Sequence, residues 1–185
     1  MKTYKTEDNA DLEFTFHSGI NWEELDIQGI SLPMGMKLVD FVVERDKDLL
    51  LVEVKDPSNA RATESVRKKY FKKLRDNSIL SEDLTPKARD SYTYIHLMMR
   101  DEKPIVYIVL LGLDSLDADA QKALLSGFKD RLLANLRKEC HLPWKRVHIK
   151  DCLIMSLDSW NHTFKDIPVR RVSPSETAVS SSSDR

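Results

Sequence analysis

Lys37-Leu38-Val39-Asp40-Phe41-Val42-Val43-Glu44, the polar turn Arg45-Asp46-Lys47-Asp48, and Asp48-Leu49-Leu50-Leu51-Val52-Glu53-Val54-Lys55 read as two β-strands joined as a hairpin. A loop of two residues, Asp46 and Lys47, or of four, sets the same register. Phe41 then lies opposite Val52, Val43 opposite Leu50 and Val39 opposite Val54, which makes one face wholly apolar. The other face carries Leu38, Asp40, Val42 and Glu44 against Lys55, Glu53, Leu51 and Leu49. An odd-length loop would mix the two faces, and the hydrophobic pattern rejects it. Asp40 is therefore expected opposite Glu53, with Cβ atoms about 4.5–5.5 Å apart. Glu53 and Lys55, two residues apart, project from the same side of their strand.

Outward from the hairpin, Leu12 to Phe16 alternates as a short strand. Asn21-Trp22-Glu23-Glu24 resembles a capping box that opens a helical turn. Asp56-Pro57-Ser58-Asn59 stops the second hairpin strand. A helix is expected from about Ala60 to Arg75, with Ala62, Val66, Tyr70 and Leu74 on its inner face. A second begins at Thr85-Pro86, with Ala88, Tyr92, Ile95 and Met99 inward. The apolar run Pro104 to Leu111 has the pattern of a central strand covered on both faces. Asp117 to Cys140 reads as one long helix and Cys152 to Leu157 as a last strand. The expected fold is α/β, a central mixed sheet flanked by helices, in a single domain over residues 1–172. Residues 173–185 form a Ser-rich tail with too little apolar content to order itself.

Composition narrows the function classes. Of 185 residues, 41% are hydrophobic and 32% charged, the range of globular proteins. No apolar run reaches the roughly 18–20 residues that span a bilayer, so no membrane partner is expected. The first eight residues lack the apolar core of a secretory signal. Two cysteines, Cys140 and Cys152, make no disulfide framework, and a cytoplasmic setting is expected. Charge is unevenly placed. Arg61 to Arg75 holds seven basic residues against Glu64, a net of +6 that leaves −7 on the rest of a chain whose total is −1. Arg67, Lys68, Lys69, Lys72 and Lys73 are the candidate contacts to a phosphate backbone; a solvated helix face would have the same composition.

Two carboxylates facing each other on a sheet repel unless a cation offsets them. Asp and Glu oxygens are the hard ligands that Mg2+ takes, with waters and substrate phosphate completing its shell. Such an ion lowers the pKa of its water, and a neighbouring lysine can orient that water and balance charge on a phosphate. An acid on a strand with a lysine nearby is common on protein surfaces. The register, the apolar flanks and the basic helix that follows set this pair apart.

With Val39-Asp40 on one strand and Glu53-Val54-Lys55 at the end of the next, followed by a helix and a buried strand, the chain resembles the PD-(D/E)XK, or restriction-endonuclease-like, superfamily. The likeness covers about residues 37–111 in order of elements. It implies a restriction-endonuclease-like fold and a metal-dependent nuclease that hydrolyses phosphodiester bonds, in DNA rather than RNA. It further implies Mg2+, with Mn2+ as a substitute, held by Asp40, Glu53 and the carbonyl of Val54, and Lys55 beside the attacking water. Val39 stands where the signature has proline. The acidic residue of the family's first helix has no clear counterpart, and Glu13, Glu24 and Asp26 are open alternatives. The helix after Lys55 has no glutamine, which disfavours the exonuclease-like branch.

A non-catalytic module that binds nucleic acid or protein and retains the fold is the alternative, and a homo-oligomer or larger complex stays open. Cys140, His141, His148 and Cys152 lack tight metal-ligand spacing. His96 and His162 read as packing or surface residues, and Trp22, Trp144 and Trp160 as core or interface aromatics. There is no phosphate-binding glycine loop and no Gly-x-Ser-x-Gly elbow.

Overall fold

The computed structural model describes residues 1–6, 10–27, 29, 31–32, 35–138 and 145–173. The Ser-rich tail from 174 onward, Cys140, His141 and Trp144 lie outside the described residues. A three-stranded antiparallel sheet is formed by β1 (Lys2–Lys5), β2 (Leu12–Phe16) and β8 (Val169–Arg171), in the order β1-β2-β8. A five-stranded mixed sheet contains β3 (Asn21–Glu24), β4 (Phe41–Glu44), β5 (Leu49–Lys55), β6 (Ile105–Leu111) and β7 (Asp151–Met155) in that order. Within it β3, β4 and β5 are antiparallel, and β5, β6 and β7 are parallel. The helices are α1 (Glu64–Arg75), α2 (Thr85–Leu97), α3 (Ala118–Leu125), α4 (Phe128–Leu136) and α5 (Leu157–Thr163), with a π-helical turn at Leu80–Leu84 leading into α2. The chain is thus mixed α/β, as expected. No helix among the described residues is long and apolar enough to cross a membrane.

The hairpin register is the one read from the sequence: Phe41 pairs with Val52, Val42 with Leu51, Val43 with Leu50 and Glu44 with Leu49. Its turn is closed by the Arg45 amide donating to the Asp48 carbonyl at 2.9 Å, and the Arg45 guanidinium grips both oxygens of Asp48 at 2.6 Å. Both faces of the hairpin are covered. Phe41, Val43, Leu50, Val52 and Val54 pack with Phe14, Phe16 and Trp160 from the small sheet and α5. Val42, Leu49 and Leu51 pack on the opposite side with Leu74, Leu84, Ala88, Ile95 and Phe128 from the helices. β6 is buried on both faces, as its continuous apolar run predicts.

Several elements differ from expectation, each for a local reason. Asn21–Glu24 is a strand, because its backbone pairs with Phe41–Glu44 and tertiary pairing outweighs the capping pattern. The first hairpin strand starts at Phe41, not Lys37: the amides of Lys37 and Val39 donate to Asp90 and Ser91 of α2 instead of to a neighbouring strand. Val39 accordingly packs with the helical layer and not with Val54. The basic helix starts at Glu64, where Thr63 caps it, and Val66 on its expected inner stripe is 57% exposed. Met99, expected inward, lies past the end of α2 and is 85% exposed. The single helix expected over Asp117–Cys140 is two helices, broken where Gly127 takes φ 65°. The last expected strand ends at Met155, since Ser156 closes a capping box that opens α5. Trp160 is a core residue, its ring nitrogen donating to the Ile167 carbonyl at 2.6 Å, and Trp22 stacks on Phe16 at 4.0 Å.

Candidate functional site

β5 runs through the middle of the sheet and ends at Lys55, beside a cavity of about 460 Å3. Asp40, Glu53, Val54 and Lys55 all border that cavity, so the four residues singled out on the hairpin come together. Glu53 has no exposure to solvent. Asp40 is enclosed by protein yet keeps an edge open to the cavity, and its Oδ2 accepts the Val54 amide at 2.6 Å. Its own carbonyl accepts the Leu25 amide, which fixes the backbone just before β4.

Two ammonium groups meet the same oxygen of Glu53. Lys55 Nζ stands 2.7 Å from Oε1 and 2.7 Å from Asp83 Oδ2. Lys87 Nζ, reaching in from α2, stands 3.1 Å from Oε1 and 3.1 Å from Asp26 Oδ2. These approaches are ionic contacts without hydrogen-bond alignment, and neither Oε1 nor Oε2 has a hydrogen-bond partner. Four carboxylates, those of Asp26, Asp40, Glu53 and Asp83, thus surround two lysines.

This crowding sets the protonation of the site. Burial, and then the charge of Asp40, push the Glu53 carboxyl up to about 8 despite the two lysines. Burial also raises the Asp40 carboxyl, opposed by Lys87 and by the Val54 amide. For Lys55 burial works against the charged form, but Glu53 and Asp83 outweigh it and hold the ammonium above its ordinary value. Lys87 is raised in the same way, burial being overcome by Glu53, Asp40 and Asp26.

A buried carboxylate oxygen with no hydrogen-bond partner, Glu53 Oε2, beside a second carboxylate open to the same cavity is what a hard cation would satisfy. Among the described residues no three or more His, Cys, Asp or Glu side chains are placed to hold one metal ion together. Two carboxylates could hold a hard cation here only with water or substrate oxygen supplying most of its shell.

Lys87, Asp83 and Tyr70 were not found from the sequence. Asp83 lies within the π-helical turn and Lys87 just beyond it in α2, where helix periodicity shifts and one face loses register. Tyr70 was read as core, yet its hydroxyl is buried without a partner and the residue borders the cavity. Of the upstream acids, Asp26 reaches the site through Lys87; Glu13 is spent on Arg170 and Lys5 on the small sheet, and Glu24 lies in β3.

Of the basic candidates, Arg67 reaches the cavity, where its Nη2 donates to the carbonyl of Asn59 at 3.0 Å and its Nε is buried without a partner. Lys68, Lys69, Lys72 and Lys73 do not border it. Lys68 pairs with Glu64, and Lys73 with Glu82. His148 contacts the Tyr92 ring, while Cys152 is buried with its thiol pushed up by burial to about 11. Comparison with models of known families, with curated proteins and with solved structures found no match to this chain.

Proposed function

We propose that the protein is a divalent-metal-dependent nuclease of the PD-(D/E)XK kind, with a restriction-endonuclease-like arrangement of its mixed sheet, acting on DNA. The observation that carries this reading is Glu53. It is wholly buried, its carboxylate oxygens have no hydrogen-bond partner, and it stands beside Asp40 with Lys55 at 2.7 Å. A buried acid in that state is costly to the fold, and a role in binding a cation accounts for it. Asp40, Glu53 and the Val54 carbonyl would hold Mg2+ or Mn2+. The bound ion would supply hydroxide near neutral pH and a counter-charge for the phosphate. Lys55, held in place by Glu53 and Asp83, orients the attacking water and donates to a phosphate oxygen as charge develops there.

Calorimetric Mn2+ titration paired with cleavage assays tests this. Asp40→Ala and Glu53→Ala are expected to lose both metal binding and cleavage. Lys55→Ala is expected to keep metal and to lose cleavage by orders of magnitude. Each variant is first shown to be folded. A parent protein that binds no Mn2+ and cuts no nucleic acid refutes the proposal.

A second reading has its own observation. Lys55 and Lys87 already bring two positive charges to Glu53 without any metal, as a non-catalytic member that kept the fold as a binding module would require. Folded parent protein with no Mn2+ affinity is the result that favours it.

A further inference from the structure

The cavity has a shape and a lining as well as a charge. Its volume of about 460 Å3 falls within the range of about 300–1,000 Å3 that encloses a single small ligand, the size class of one nucleotide. Four separate parts of the chain wall it: Tyr4 and Ala10 on the side of the small sheet, Pro57 after β5, Val66 and Tyr70 on α1, and Lys87 on α2. The acid pair sits among them, with Glu53 fully withdrawn from solvent.

The lining is of two kinds. Tyr4, Ala10, Pro57, Ala62 and Val66 supply apolar surface suited to a base or sugar. Arg67 Nε and the Tyr70 hydroxyl are buried polar atoms without partners at the same cavity. Because Arg67 Nη2 is fixed on the Asn59 and Ala60 carbonyls, Nε is left for a ligand acceptor. Such donors match phosphate oxygens.

The cations suited to tracking a duplex stand elsewhere. Lys68 and Lys72 are each two residues from Tyr70, about 160° round the helix from it. Lys68 and Lys73 are also engaged by Glu64 and Glu82. A paired duplex keeps its bases stacked inside and presents both backbones on a stiff cylinder. An unpaired strand can turn one nucleotide into a recess.

We infer that the cavity takes one unpaired nucleotide at a time, so that the substrate is single-stranded DNA or an unpaired tract or end, and not continuous duplex. This rests on the phosphodiesterase reading above, and binding without cleavage separates the two. Oligonucleotides of one sequence are compared as single strand, blunt duplex and duplex with an unpaired tail. Anisotropy is read in EDTA and in Ca2+, and cleavage in Mn2+. The single strand and the tailed duplex are expected to bind at least about tenfold more tightly than the blunt duplex, with cuts confined to unpaired nucleotides. Val66→Trp, at an exposed helix position, fills the cavity and is expected to weaken single-strand binding by about tenfold or more. Its melting temperature and Mn2+ binding should stay at the parent's values.

Blunt duplex bound or cut as well as single strand overturns the inference, as does Val66→Trp with unchanged single-strand affinity, or no binding of any DNA. Selective single-strand binding that Val66→Trp removes, with no cleavage of any substrate, upholds the cavity's selectivity and refutes catalysis alone.

Discussion

Replacing Glu53 by Gln removes a buried, strongly perturbed acid of the cavity with little change of shape. In the metal-free protein its carboxyl is pushed up from 4.5 to about 8 by burial and by Asp40. Between those values the folded chain keeps a proton that the unfolded chain has released. Stability should therefore fall as pH rises through this window and level off above it. Each pH unit with a full proton of difference is worth about 1.36 kcal/mol. At pH 7, about 2.5 units above the ordinary value, the penalty reaches about 3 kcal/mol, the opposing pull of Lys55 and Lys87 being already contained in the shift. Glu53→Gln lacks this slope. Urea denaturation of parent and variant in EDTA from pH 5 to pH 8 is expected to show the parent losing ground steadily to the variant. Mn2+ should remove the parent's decline and leave the variant unaffected. Titrations in buffers of different ionisation enthalpy should show up to one proton released per ion near pH 7. Parallel curves for the two proteins across that pH range would refute a protonated Glu53, and with it the electrostatic account of the site.

Lys87→Met takes away the second ammonium, which stands 3.1 Å from Glu53 Oε1. Mn2+ affinity is expected to rise by about tenfold or more as repulsion of the ion falls, while metal-free stability drops by about 1–3 kcal/mol; calorimetry and denaturation read the two effects. Alanine at Lys68, Lys69, Lys72 and Lys73 together should make the slope of log K against log salt shallower by less than about one phosphate contact, whereas Arg67→Ala at the cavity should weaken binding clearly. A loss of three or four contacts would restore those lysines as the main phosphate track. Gly112→Ala would place a Cβ 2.2 Å from Asp56 Oδ1, an atom held by Arg171. It is expected to lower stability by about 1–3 kcal/mol, and an unchanged melting temperature would count against a rigid Asp56–Arg171 clamp.

The hairpin was legible in the sequence because one alternating pattern had to satisfy two strands at once. Only even loops kept Phe41, Val43, Leu50 and Val52 together, so the register followed before any tertiary contact was known. The same pattern brought Asp40 and Glu53 to one end of the sheet. What it did not contain was the second wall of the site. Lys87 acts through a helix that arrives after a π-helical turn, more than thirty residues beyond Glu53, and nothing local ties its charge to that strand. The burial of Glu53 was equally hidden. Its face of the hairpin carries Asp40 and Lys55 and looks half-solvated, yet Leu84, Ala88 and Ile95 cover the apolar part of it and leave only the cavity open. Coverage by helices pushes the carboxyl of an ordinary strand acid well above its usual range. On the proposed reading, a surface acid with a lysine nearby would bind an ion with little dependence on pH near neutrality, whereas the buried pair here would tie cation binding to proton release. The local motif thus supplies the two acids, and the long-range packing sets how readily they ionise.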